Sequence, residues 1–118
     1  MSGEKERTIV MDVPPVAEIH REFVLDPIKQ YFGPENTKRG RISGHELVAK
    51  GLASDTADED SRYFVENPDK VPADADWILF VGKDRVWYVY RGEGGLYRDG
   101  YSLDLAWDGD GLVARRRK

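Results

Sequence analysis

Cysteine is absent from the 118 residues. That excludes a disulfide framework, a thiolate zinc site and a cysteine nucleophile. Histidine is scarce, with only His20 and His45, so a site built from several imidazoles is excluded too. No run approaches the ~20 apolar residues that cross a bilayer as a helix. The opening MSGEKERTIV places two glutamates ahead of any apolar run, unlike a secretory or transit leader. A cytoplasmic protein is the expectation. Charge of one sign is also lacking: 18 basic side chains face 22 acidic ones, a net −4.

What the chain does have is aromatic residues, 11% of the total. That is enough to build a core and argues against global disorder. The length suits one domain spanning residues 1–118, with 1–7 and the basic end 115–118 expected to be flexible.

The periodicity divides the chain. Thr8 to Val13 alternates and suggests a short strand that Pro14-Pro15 stops. Val16, Ile19 and Phe23, then Val24, Ile28, Tyr31 and Phe32, recur at helical spacing. They predict two consecutive helices, with Asp26 as N-cap and Pro27 at the first helical position. Residues 33–42 read as a loop. Ser43-Gly44-His45-Glu46 and Thr56-Ala57-Asp58-Glu59 have capping-box spacing and open two further helices, the second closed by Asn67-Pro68.

From Trp77 the period becomes two. Trp77 to Val81 is apolar throughout and reads as a central strand buried on both faces. Val86 to Arg91 is a second strand. Leu96-Tyr97-Arg98 is a short third, ended by the turn dipeptide Asp99-Gly100. Tyr101, Leu103, Leu105 and Trp107 alternate with polar residues as a fourth, half-buried strand. Asp108-Gly109-Asp110-Gly111 then turns the chain into Leu112-Val113-Ala114. Helices first and hairpins second is the α+β signature. The expected fold is a short N-terminal strand and three to four helices packed on a C-terminal antiparallel meander. Its expected core is Ile19, Phe23, Ile28, Leu47, Phe64, Ile78, Phe80, Leu103 and Leu105.

Catalytic and metal motifs fail on inspection. The Asp108 loop, aligned as a calcium loop, puts Ala106 and Arg117 at the first and twelfth ligand positions. His45-Glu46 has Ala49 where a zinc-protease helix needs its second His. Asp99, Asp104, Asp108 and Asp110 read as solvated turn and strand residues rather than an acid/base pair. Gly92-Glu93-Gly94-Gly95 lies between strands, whereas a phosphate loop needs a helix start behind its glycines. No metal and no cofactor are expected. Lys38, Arg39 and Arg41, just ahead of the Ser43 helix start, form a candidate anion site. His20 and His45 remain candidates for a general base.

The aromatic sheet is the remaining signal. Rings on a sheet can stack bases, but residues 61–118 carry ten basic and ten acidic side chains. Phosphate binding calls for a basic footprint, so single-stranded nucleic acid is the least favoured reading. Trp87 shares a strand face with Arg91, opposite Val86, Tyr88 and Tyr90. Burying an unpaired guanidinium is costly, so Trp87 and Arg91, with Tyr97 and Arg98 on the next strand, form the candidate binding patch. The first expectation is therefore a non-catalytic interaction module of the small inhibitor, immunity-like or accessory kind, binding a protein partner or a second copy. A small-ligand-binding or enzymatic α+β domain with a sheet–helix pocket is the alternative.

Overall fold

The structure is a computed structural model that describes the backbone of residues 7–12 and 20–22 and all of 23–116. Six strands form the main sheet: β1 (Arg7–Asp12), β2 (His20–Pro27), β4 (Trp77–Val81), β5 (Arg85–Gly92), β6 (Gly95–Ser102) and β8 (Leu112–Arg116). Their order is β1-β2-β8-β4-β5-β6. A two-residue strand β3 (Ile42–Ser43) pairs with β7 (Ala106–Trp107) in a small second sheet. Among the described residues three helices accompany them: α1 (Pro34–Arg39), α2 (Gly44–Ala49) and α3 (Ala57–Glu66). The α+β class matches the sequence reading and the number of helices falls within its three to four, but only α2 and α3 stand where it places them.

The predicted helices between Val16 and Phe32 are overturned. His20–Pro27 is a strand, followed by a 3-10 turn over Ile28–Tyr31. Phe23, Val24 and Leu25 are all buried: β2 is an inner strand between β1 and β8, and Phe23 and Leu25 pack into the core beneath α3. A strand covered on both faces is apolar at consecutive positions, and short apolar runs fit helix and strand alike. The expectations for Pro14, Pro15, Val16 and Ile19, and for residues 1–6, 117 and 118, lie outside the described residues. Arg7 belongs to β1, and Arg115 and Arg116 to β8, not to flexible ends.

The supposed loop 33–42 contains α1. Gly33 caps it, Pro34 stands in its first turn and Gly40 closes it at φ 72°, the Pro-in, Gly-out pattern of a helix. The Ser43 capping box forms as read: Ser43 accepts from the Glu46 amide, and Glu46 accepts from the Ser43 amide.

The meander ends at β6. β8 does not continue it; it inserts between β2 and β4, antiparallel to the first and parallel to the second. Asp99-Gly100 is not a turn either, since β6 runs unbroken to Ser102 and the chain bends only at Leu103-Asp104. Leu103 is therefore half-buried and Leu105 is 42% exposed; neither is the core residue the alternation predicts.

Helices cover both faces of the sheet. On the first face, Phe23, Leu25, Ile78, Phe80, Val89 and Ala114 pack against Ala57 and Phe64 of α3. Phe64 stacks on Phe80 at 5.8 Å, and Phe23 meets both rings edge-on. On the second face, Leu79, Val81, Val86 and Val113 pack against Ile28, Ile42, Leu47 and Trp107. Of the predicted core, Phe23, Ile28, Leu47, Phe64, Ile78 and Phe80 are buried.

Candidate functional site

Strand alternation places Trp87 and Arg91 on one face, as the sequence reading has it, with Arg98 beside them; that face is the one α3 covers, not an open one. The patch they form is partly covered by the protein itself, with Arg91 still exposed. Trp87 is half-buried and packs against the α3-side core. The Arg98 guanidinium lies 4.3 Å from the Trp87 ring centre, and Arg85 lies 5.6 Å away. Arg98 also donates to the Asp58 backbone oxygen and carboxylate and to the Ser61 hydroxyl of α3. Arg91 reaches the carbonyls of Pro72 and Ala75. These are the bonds that tie α3 and the segment after it to the sheet.

Tyr97 lies on the opposite face. β5 presents Tyr88 and Tyr90 there, β6 presents Tyr97, Asp99 and Tyr101, and β4 presents Trp77, by the register of the paired strands. The small β3–β7 sheet adds Trp107. The rings are contiguous. Tyr88 stacks on Tyr90 at 4.9 Å, Tyr90 meets Tyr97 at 5.9 Å, and Tyr88 meets Tyr101 at 6.0 Å. Trp107 touches Tyr88 at 5.4 Å and Tyr101 at 5.6 Å. The inner end of this array is covered; the outer end is open, with Tyr97 45% and Tyr101 38% exposed.

One carboxylate stands inside the array. Asp99 lies between Tyr97 and Tyr101 along β6 and opposite Tyr88 on β5. Its hydrogen bond to the Tyr90 hydroxyl is the main reason the Tyr90 phenol is pushed up from its ordinary value. The Tyr88 phenol is pushed up chiefly by burial, with Tyr101, Asp108 and Asp99 adding to it. Buried under these rings, the indole Nε1 of Trp107 has no hydrogen-bond partner among the described residues.

Beside the rings runs an open sheet edge. The Arg91 amide donates to Asp76, and the Arg85 carbonyl accepts from Gly82, so the odd-numbered residues of β5 bond towards β4. Its even-numbered residues then bond β6 through Tyr97, Asp99 and Tyr101, because the pattern alternates along an antiparallel pair. The backbone groups of Leu96, Arg98 and Gly100 consequently point out of the sheet, where no described strand meets them.

The other candidates are placed as follows. Arg39 pairs with Glu46 at 3.3 Å, Lys38 lies 3.9 Å from Glu35, and Arg41 is exposed. The start of α2 beside them already holds the Glu46 carboxylate, which the Ser43 amide, Asn36, the Ser43 hydroxyl and Arg39 together hold down to about 2. His45 is exposed and pairs with Asp104 at 2.8 Å. The His20 side chain is outside the described part. A cavity of about 880 Å³ opens beside the loop 51–57, bounded by Phe23, Phe80 and Asp60. Asp60 there accepts a bond from Thr56, and His45 is not in its wall.

Sequence reasoning named Tyr97 but passed over Tyr88, Tyr90, Asp99 and Tyr101 as a group. Tyr97, Asp99 and Tyr101 share a face only if the strand runs through Asp99-Gly100, and that dipeptide reads as a turn. No family model, curated protein or solved structure matches the chain.

Proposed function

We propose that the chain is a protein-interaction module, of the small inhibitor, immunity-like or accessory kind, which binds its partner through the tyrosine face of β5 and β6. The observation that carries this reading is the pair Tyr97 and Tyr101, 45% and 38% exposed at the open end of a contiguous ring array. Tyrosine is among the residues that dominate binding hot spots: it offers a large rigid surface with a polar tip and loses little entropy on docking.

The charge around the rings favours a protein over a nucleic acid. Residues 93–110 hold Glu93, Asp99, Asp104, Asp108 and Asp110 against a single base, Arg98, which is bonded to α3. Such a surface repels phosphates. Trp87, Arg91 and Arg98 serve this reading as the support that holds β5 and β6 against α3, not as contact residues.

The test is retention of partners from a lysate of the source organism on the immobilised chain, followed by titration of the purified partner. A protein held by the wild type and lost by the double variant Tyr97→Ser/Tyr101→Ser, with both chains equally stable in urea, is the expected result. Equal retention by both chains overturns the reading.

A further inference from the structure

The tyrosine face and the open edge of β6 adjoin, and together they specify the chemistry of an occupant. We propose that β6 accepts an extended basic segment of a partner protein as a seventh strand, which sets a lysine or arginine over Asp99 between Tyr97 and Tyr101. This rests on the reading of the tyrosine face as an interface and adds the conformation and charge of what binds there.

The backbone fixes the conformation. Leu96, Arg98 and Gly100 offer outward amides and carbonyls at every second residue, the ladder that an added strand completes. In an antiparallel arrangement an added residue opposite Asp99 forms a non-hydrogen-bonded pair, the one in which side chains stand closest. Its neighbours two positions along face Tyr97 and Tyr101.

The side chains fix the charge. A cation opposite Asp99 meets a carboxylate directly and has the partly exposed rings of Tyr97 and Tyr101 two residues to either side along β6, so ion pairing and cation–π attraction can act together. Its approach is favoured by Glu93 at one end of β6 and by Asp104 and Asp108 near the other. A second copy suits the edge less well. The antiparallel register that matches Tyr97 with Tyr101 of a second copy also sets Asp99 against Asp99, and like charges directly opposite destabilise a pair.

The experiment is calorimetric titration of the full chain with three capped octapeptides. The first alternates lysine and valine, the second alternates glutamate and valine, and the third is the first with N-methyl groups on alternate amides. The lysine peptide is expected to bind, the glutamate peptide not to, and N-methylation to abolish binding by blocking the ladder. Asp99→Asn should weaken the lysine peptide roughly tenfold, the scale of a charge-assisted contact. Equal binding of the lysine and glutamate peptides, both lost in Tyr97→Ala, overturns the charge assignment but leaves the interface standing. A dimer seen in sedimentation and dissolved by Tyr97→Ala overturns the basic partner and likewise leaves the interface. Lack of binding by any peptide, with a monomer in sedimentation, overturns the inference, and partner retention then judges the interface separately.

Discussion

Trp87 lays its indole on the backbone of Gly100, its cross-strand partner: a methyl group at Gly100 would stand 3.1 Å from the ring and 3.4 Å from the Arg85 side chain. Glycine here makes room for a ring. With Arg98 over the same indole at 4.3 Å, the arrangement clamps the hairpin that carries Tyr97 and Tyr101 against α3.

Gly100→Ala is therefore expected to destabilise the protein by about 1–2 kcal/mol through overpacking. In a Trp87→Ala background the same change should be neutral or slightly favourable, since alanine suits a strand interior better than glycine once the ring is gone. Urea unfolding of the four proteins in the cycle measures this. Additive effects would show that the ring and the glycine are independent.

The same packing explains much of what the sequence conceals. A methyl at Gly111 would come within 2.5 Å of the Trp77 ring, and one at Gly92 within 2.9 Å of Tyr97. In one-dimensional text these glycines read as turn punctuation. At Gly92 the chain does approach a turn, but Gly100 sits mid-strand and Gly111 beneath a ring. The partner rings are distant in sequence or across a strand pair, so no local pattern distinguishes the cases. β2 escaped for a related reason: Phe23 and Leu25 are covered by Phe64 of α3 and Phe80 of β4, far along the chain. What is decided locally was legible. The Ser43–Glu46 box marks the start of α2, the apolar run marks β4, and the β-branched and aromatic run marks β5. The candidate site was half legible. Trp87 and Tyr97 stood out as rings on a sheet, but whether Trp87 is covered depends on where α3 lands.

Glu46 makes stability depend on acid pH. Its carboxylate is held at about 2, below the ordinary value of 4.5. A depressed folded value means that the stabilisation is complete above about pH 4.5 and lost as the pH falls towards 2. Because the side chain is 38% exposed, solvent screening limits the contribution to about 1 kcal/mol. Urea unfolding at pH 6 and pH 2.5 should show Glu46→Gln less stable than the wild type at the higher pH and close to it at the lower. A constant difference between the two would contradict the capping role.

Asp26 is buried and held by the Arg115 guanidinium at 2.8 Å and by the Tyr31 hydroxyl. Tyr31→Phe removes a donor from a buried charge and should cost about 1–3 kcal/mol at pH 7. Burial and the bond to Asp26 push the Tyr31 phenol up from 10 to about 12. A raised folded value means that this stabilisation is complete below pH 10 and disappears as the pH passes about 12. Denaturant unfolding at neutral pH and an absorbance titration of the phenols check both statements. A variant as stable as the wild type would show that Arg115 alone suffices.

The central claim is that the exposed tyrosines bind a protein, and calorimetric titration of the captured partner into the wild type and Tyr97→Ala tests it most directly. Hot-spot truncation costs about 2 kcal/mol or more, so the variant's Kd should rise roughly thirtyfold. Its urea midpoint should stay near that of the wild type, because the ring is 45% exposed. An unchanged Kd, or a fall in affinity that merely follows a loss of folding, would contradict the account.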